Sequence, residues 1–190
     1  MFTDADGDQV DGFDGDDDII YAYEGDDTVV AGAGDDSVKG GQGDDIIFGG
    51  DGNDTIDGGI DNDSLVGGAG ADDITGGQGD DTITGGAGAD TLSGGDDRDT
   101  FLGATVGDDI DGGSGSDDYD TLDLTGSAPV GGSLNVIFDT SDPEDGTVNF
   151  FDDNGLLLGS AVFEEIENVI PCFTPGTRIA TPRGEVAVED

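Results

Sequence analysis

A nine-residue period runs without a break from residue 13 to residue 120. At its sixth slot it places aspartate twelve times: Asp18, Asp27, Asp36, Asp45, Asp54, Asp63, Asp72, Asp81, Asp90, Asp99, Asp108 and Asp117. Two places later comes a large, mostly aliphatic side chain: Ile20, Val29, Val38, Ile47, Ile56, Leu65, Ile74, Ile83, Leu92, Phe101, Ile110 and Tyr119. Such a short period leaves few folds open. Positions seven to nine suit a short strand whose middle side chain points inward and whose outer two point to solvent. The outer positions are mostly Thr, Ser, Asp or Lys, with apolar exceptions such as Tyr21, Phe48 and Val66. The other six residues must turn the chain. Glycine at positions one, two and four supplies backbone angles that other residues reach only with strain. Two nonapeptides then close one coil of 18 residues. Coils stacked about 4.8 Å apart make a rod roughly 29 Å long.

Stacking sets like on like. Asp54 lies over Asp36 and under Asp72, and two full charges about 4.8 Å apart repel by roughly 0.9 kcal/mol in water and roughly 3.5 at an effective dielectric of about 20. Each repeat buries one apolar side chain, worth about 1.5–3 kcal/mol, against the entropy of ordering nine residues. Burial alone does not hold such a chain together, so a cation must be part of the fold. Carboxylates and turn carbonyls are hard oxygen ligands, suited to calcium. With no His and one Cys, zinc or copper would find almost no ligands. Without calcium the expected state is a disordered acidic chain, since low hydrophobicity with high charge is the signature of disorder.

The formal charge is −43, with only 4 Lys and Arg. Nucleic acid and anionic membrane surfaces are excluded as partners on that balance. No segment is long and apolar enough for a membrane-spanning helix. The opening MFTDADGDQV lacks the basic and apolar regions of a Sec signal peptide. Residues 1–12 read as a degenerate leader or partial repeat, with Asp8 and Val10 one residue out of frame. Glycine does not fall on every third residue, so collagen is excluded. Neither HExxH nor GxSxG is present, so no catalytic domain is expected.

The middle copies GGQGDDIIF from Gly40, GGDGNDTID from Gly49, GGAGADDIT from Gly67 and GGQGDDTIT from Gly76 follow G-G-x-G-x-D-x-U-x. This pattern resembles the RTX calcium-binding repeats of secreted bacterial proteins. The resemblance implies an all-β fold, a parallel β-roll (a right-handed β-helix or solenoid) over residues 13–120. It implies several calcium ions, each between loops two repeats apart. The implied ligands are Asp27, Asp36, Asp45, Asp54, Asp63, Asp72, Asp81, Asp90, Asp99, Asp108 and Asp117. Loop carbonyls around Gly32, Gly34, Gly41, Gly43, Gly50, Gly52, Gly68, Gly70, Gly77, Gly79, Gly86 and Gly88 complete the implied sites. An extracellular location and type I secretion follow from the same resemblance. Outer acids at positions five and seven, such as Asp44 and Asp73, are read as solvating the surface.

Some repeats depart from the pattern. The copies from Phe13 and Ala22 lack the glycine pair, and position four is Asp16, Asp61, Asp97 or Val106 in four copies. Asp tolerates left-handed backbone; a β-branched Val does not. Arg98 sets a cation beside Asp99. The strongest sites are therefore expected between Ala31 and Ser93.

The rhythm changes after Asp120. TLDLTG from Thr121 reads as a last strand with Leu122 and Leu124 on one face. Further strands in SLNVIFD, TVNFF and LLLGSAVFEEIENVI, with a turn at Asp153-Asn154-Gly155, make residues 121–170 a small β cap on the solenoid end. An independent β-domain binding a glycan or protein is the alternative. From Pro171 the composition shifts again. CFTPGTRIATPRGEVAVED resembles the start of a Hint (hedgehog/intein-type) domain. That likeness would make residues 171–190 its truncated first segment and Cys172 its nucleophile, cleaving the bond after Pro171 by an N-to-S acyl shift. The shift needs a helper histidine, and the chain has none, so Cys172 is expected to be inert here. Two functions stand: a calcium-dependent structural module of a secreted protein, and a precursor that processes itself.

Overall fold

The computed structural model describes residues 2–3, 9–11, 15, 17–114, 119–171, 178–181 and 184–187. Among these every regular element is a strand. The first fourteen follow the repeat: β1 (Phe2–Thr3), β2 (Gln9–Asp11), β3 (Ile19–Glu24), β4 (Thr28–Ala33), β5 (Ser37–Gln42), β6 (Ile46–Asp51) and β7 (Thr55–Ile60). Next come β8 (Ser64–Ala69), β9 (Asp73–Gln78), β10 (Thr82–Ala87), β11 (Thr91–Asp96), β12 (Thr100–Leu102), β13 (Asp109–Gly113) and β14 (Thr121–Asp123). Odd-numbered strands form one parallel sheet and even-numbered strands the other. Val38 pairs with Ile56, Ile56 with Ile74, and Ile47 with Leu65, each 18 residues on. The chain is thus a β-solenoid of about six turns, as the period predicts.

The core is one side chain deep on each sheet. Ile20, Val38, Ile56, Ile74, Leu92 and Ile110 face Val29, Ile47, Leu65, Ile83, Phe101 and Leu122, and all are buried. The twelfth member differs from expectation. Tyr119 is 57% exposed, and Leu122 takes its place beside Phe101 in the ladder. Three extra residues enter the last coil, so the ladder resumes at Thr121 rather than Asp118.

The strands are also longer than three residues. They run six, through positions seven to nine and on through the next three, so the glycine pair belongs to the strand. Position one then faces inward as well. Ala22 and Ala31 bury a methyl there, and later coils hold glycine. That glycine is required for space rather than for its backbone angle. A Cβ on Gly40 would lie under 3.0 Å from both the Asp45 carboxylate and the Gly58 carbonyl, and Gly40 has no positive φ. Positions two and four do need the left-handed region: Gly41 has φ 124° and Gly43 φ 119°. Asp61 (φ 79°) and Asp97 (φ 77°) substitute at position four as expected. Val106 does not; the turn moves one residue on to Gly107, at φ 106°.

Beyond the roll, β15 (Ser133–Phe138), β16 (Gly146–Phe151) and β17 (Leu157–Glu164) form an antiparallel meander, and β18 (Asn168–Ile170) follows. The end of β17 pairs in parallel with β13, setting Phe163 beside Ile110. β18 pairs in parallel with β14, setting Val169 beside Leu122. Both sheets therefore continue one step past the repeats. Leu134, Val136, Val148, Phe150, Ala161 and Ile166 pack with these residues. The strands β19 (Arg178–Thr181) and β20 (Gly184–Ala187) pair antiparallel.

Two glycines separate backbone angle from space. Gly68 has φ 124° and faces the Gly50 carbonyl, whereas Gly126 has φ 89° and no neighbour within 4 Å. Gly126→Ala should cost about 1–2 kcal/mol, the price of left-handed backbone alone. Gly68→Ala should cost clearly more, because two coils must also move apart. Thermal unfolding of both variants in saturating calcium checks this; equal losses would mean that the coils are not in close contact at position two.

Candidate metal-binding columns

The three-residue turns between strands bring the sixth positions into two columns, one on each side of the roll. Asp18, Asp36, Asp54, Asp72, Asp90 and Asp108 lead into the odd-numbered sheet. Asp27, Asp45, Asp63, Asp81 and Asp99 lead into the even-numbered one. Those from Asp27 to Asp108 are at most 3% exposed. Each rung is a hydrogen bond between coils. The Asp36 N–H donates to Asp54 Oδ1 at 2.9 Å, Asp45 N–H to Asp63 Oδ1 at 2.8 Å, and Asp63 N–H to Asp81 Oδ1 at 2.7 Å. Asp54 N–H reaches Asp72 Oδ1 at 2.9 Å and Asp72 N–H reaches Asp90 Oδ1 at 3.0 Å. The carboxylate thus takes the amide of the coil before it.

The second oxygen is left over. Oδ2 of Asp36, Asp45, Asp54, Asp63, Asp72, Asp81 and Asp90 is buried with no protein hydrogen-bond partner. It points at position one of its own loop. Built on Gly49, a Cβ would crowd both Asp54 Oδ2 and the Gly67 carbonyl; on Gly58, Asp63 Oδ2 and the Gly76 carbonyl; on Gly76, Asp81 Oδ2 and the Gly94 carbonyl. An orphan carboxylate oxygen and a carbonyl from two repeats on thus meet at each of these loops. Burying a carboxylate with one oxygen unpaired is costly unless a proton or a cation takes it.

The titration of these groups reflects that cost. Burial first, and the flanking acids after it, push Asp45, Asp54, Asp81 and Asp90 up to about 6, against the opposing amide hydrogen bond. Asp63 is pushed up to about 8 by the same causes. Burial also raises Asp36 and Asp72.

The donor set suits a hard cation with flexible coordination: carboxylate and carbonyl oxygens, with no nitrogen or sulfur. Among the described residues no three acidic side chains converge on one point. A calcium ion here would therefore take much of its shell from carbonyls, such as those of Gly32, Gly34, Gly41, Gly50, Gly52, Gly68, Gly70 and Gly77. Each of these faces a glycine one coil on.

Two sequence expectations change. The position-five side chains do more than solvate. Asp44 Oδ1 accepts the Asn62 N–H at 3.0 Å, Asp35 Oδ1 the Asn53 N–H at 2.8 Å, and Asn62 Oδ1 the Asp80 N–H at 2.7 Å. These rungs run opposite to the position-six rungs. The run of Asp or Asn at position five from Asp17 to Asn62, with Asp80 after it, was the signal for them. The second change concerns Asp117, which lies outside the described residues. The rung above Asp99 is made by Asp120, whose Oδ1 accepts the Asp99 N–H at 2.7 Å. Arg98 pairs with Asp80 one coil back, and Lys39 pairs with Asp57 one coil on; both pairs are exposed. Cys172 also lies outside the described residues.

A carboxyl group whose pKa is higher folded than unfolded stabilises the fold while protonated. It loses that contribution as pH rises through the folded value. Unfolded Asp titrates near about 3.9. In chelator, the roll should therefore be most structured on the acid side and lose β-type circular dichroism as pH rises through about 6 toward about 8. Calcium should move that loss to higher pH. Calcium-free structure that strengthens as pH rises across this window would contradict the buried, raised carboxyls.

No curated protein matches the chain. Residues 14–38, 21–56, 31–65, 39–74 and 66–101 match the family described as the RTX calcium-binding nonapeptide repeat (4 copies). Both columns run through this span, and the chain carries RTX calcium-binding nonapeptide repeats from residue 14 to residue 101.

Proposed function

We propose that the roll is a calcium-dependent folding module of a secreted protein. The row of buried, unpartnered Oδ2 atoms from Asp36 to Asp90 carries this reading. From Asp45 to Asp81 each lies with a carbonyl from two repeats on beside the glycine at position one of its own repeat, and each needs a proton or a cation at neutral pH. Asp27, Asp36, Asp45, Asp54, Asp63, Asp72, Asp81, Asp90 and Asp99 would hold the ions with the loop carbonyls. Bound calcium supplies charge neutralisation between coils. The protein's own part is to present oxygens at fixed spacing and to exclude water from one side of each carboxylate. Repeat proteins of this kind are typically secreted, which supports an extracellular setting. The β-roll is a structural rather than a catalytic architecture.

The proposed division is a leader over residues 1–12, a roll over 13–120 that extends to Asp123, a cap over the remainder to 170, and a separate segment from 171. The parallel pairing of β17 and β18 onto the last coil supports the cap. Its place is the open solenoid end, which would otherwise expose Ile110 and Leu122.

Calcium should convert a coil-like circular dichroism spectrum in chelator at neutral pH into a β-type spectrum, over the millimolar range usual for extracellular modules. A β-type spectrum indifferent to chelator at that pH would refute the module. Asp54 is 1% exposed mid-column, while Asp18 is half-buried at the start. Asp54→Ala should therefore raise the calcium midpoint more than Asp18→Ala; equal shifts would show that the columns do not share ions.

The hairpin of β19 and β20 is compatible with a Hint-type start, in which Cys172 would attack the Pro171 carbonyl. The chain holds no histidine to assist. Prolonged incubation with dithiothreitol should leave one intact mass, unchanged by Cys172→Ala. Thiol-dependent cleavage between Pro171 and Cys172 would overturn this.

A further inference from the structure

The two columns end differently. On the odd-numbered side the last rung is Asp90 N–H to Asp108 Oδ1 at 3.1 Å, and Asp108 Oδ2 accepts the Thr105 N–H at 2.6 Å. Both oxygens of Asp108 are thereby used. At Gly85 the nearest neighbours of a Cβ, within 3.0 Å, are atoms of Asp90, where the other loops also bring a carbonyl under 3.0 Å. This column closes on itself.

On the even-numbered side the column does not stop with the repeats. Asp81 N–H donates to Asp99 at 2.8 Å and Asp99 N–H to Asp120 at 2.7 Å. Asp120 N–H then donates to Glu167 Oε2 at 2.6 Å, across 47 residues of sequence. The Asn168 N–H reaches the Asp120 carbonyl at 3.0 Å. That bond copies the one from Thr100 N–H to the Asp81 carbonyl, at 2.9 Å, in the coils below.

The loop cradle continues with the rung. On this side, a Cβ on Gly40, Gly58, Gly76 or Gly94 would lie under 3.0 Å from the sixth-position Oδ2 of its own repeat and from the carbonyl of Gly58, Gly76, Gly94 or Gly112 in turn. On Gly112 it would lie under 3.0 Å from Asp120 Oδ2 and from the carbonyl of Glu165. Glu165 thus stands where position one of a further repeat would stand, and Glu167 where its sixth position would. The substitute loop is short. Glu167 follows Glu165 by two positions, whereas Asp45 follows Gly40 by five. Glutamate's extra methylene gives the reach that the missing residues would have supplied. Glu165 takes a left-handed φ of 53°, as its place in the turn demands.

We propose that the junction of roll and C-terminal strands forms a further calcium site, built from Asp120, the Glu165 carbonyl and the Glu167 carboxylate. It lies outside the nonapeptide motif, which is matched no further than residue 101. Its consequence is that calcium fastens the C-terminal strands to the roll, so that closure of the solenoid end and filling of the last site are one event. The site rests on the calcium reading of the roll itself.

Calcium binding by the full chain, counted by native mass spectrometry and by calorimetric titration, tests the site. Glu167→Gln keeps an oxygen for the Asp120 N–H and removes the charge. Glu164→Gln removes a neighbouring exposed charge as the control. We expect Glu167→Gln to bind one calcium ion fewer than the wild type. The amides of Thr121–Asp123 and Asn168–Ile170 should stay protected from hydrogen exchange at saturating calcium. Glu164→Gln should bind the wild-type number. An unchanged count in Glu167→Gln overturns the junction site and leaves the roll's own sites standing. Loss of several ions, or of protection in Asn168–Ile170, also overturns it, since Glu167 would then act only as a hydrogen-bond acceptor holding the strands. Failure of the wild type to take up any calcium removes the proposed function and this site together.

Discussion

One carboxylate oxygen holding the amide of the coil before it is the interaction on which the rest of this molecule depends. It fixes the coil spacing on the turn side, where the sheets cannot. In doing so it turns the other oxygen inward, buried and unpartnered from Asp36 through Asp90. A neutral acceptor such as Asn would make the same rung without leaving a charge behind. Position five does use Asn53 and Asn62 that way. Position six stays Asp in every coil, so the leftover charge itself must be used. A fold whose rungs each bury a leftover carboxylate oxygen needs a proton or a cation there. Under the proposed function that cation is calcium, which would then be part of the fold rather than a ligand of a finished protein.

That interaction also accounts for the glycine at position one. In an ordinary strand the slot would carry a side chain and enlarge a thin core. Here the Asp carboxylate and a carbonyl from two repeats on already occupy the space. The roll gives up hydrophobic burial at one of its two inward positions to make room for oxygens. The acidic surplus is likewise uneven. At positions seven and nine the even-numbered sheet from β4 to β12 carries no charged residue: Thr28, Val30, Ile46, Phe48, Ser64, Val66, Thr82, Thr84, Thr100 and Leu102. The odd-numbered sheet carries Lys39, Asp57, Asp73, Asp109 and Asp111 over the matching region. Like charges directly opposite in a ladder are destabilising. The even sheet avoids the problem, and the odd sheet offsets part of it with the Lys39–Asp57 pair.

Much of this was legible in the period alone. The period of nine fixes two strands per coil, the inward series and the stacked aspartates, because side-chain direction alternates and identical loops must superpose. What the period hides is anything that depends on where atoms from different coils meet. Glycine at position one looks like another turn residue until the Asp45 carboxylate and the Gly58 carbonyl are placed beside Gly40. The rungs at position five need the amide of the next coil, which no single repeat contains. Counting by nines also carries the frame to Asp117 and Tyr119, past the three-residue insertion that moves it. A signal was present. Asp120-Thr121-Leu122 repeats the Asp99-Thr100-Phe101 pattern better than Asp117-Asp118-Tyr119 does, with an aliphatic residue at the inward position. The structure pairs Phe101 with Leu122 accordingly.

A stack of identical coils has no length of its own; it ends where the rung can no longer be repeated. The roll meets that limit twice and resolves it by different physics. At Asp108 the chain supplies a second donor, the Thr105 N–H, so the last carboxylate of one column is satisfied by protein alone. The irregular loop from Gly103 makes this possible, because moving the turn from Val106 to Gly107 brings Thr105 beside Asp108. At Asp120 the chain keeps the rung and passes it to Glu167, just before β18, which pairs as a further coil would. The first ending satisfies its carboxylate within the protein, and the second repeats the geometry of the column below it. The irregular residues after Asp99 are therefore the means by which a periodic fold acquires a defined end.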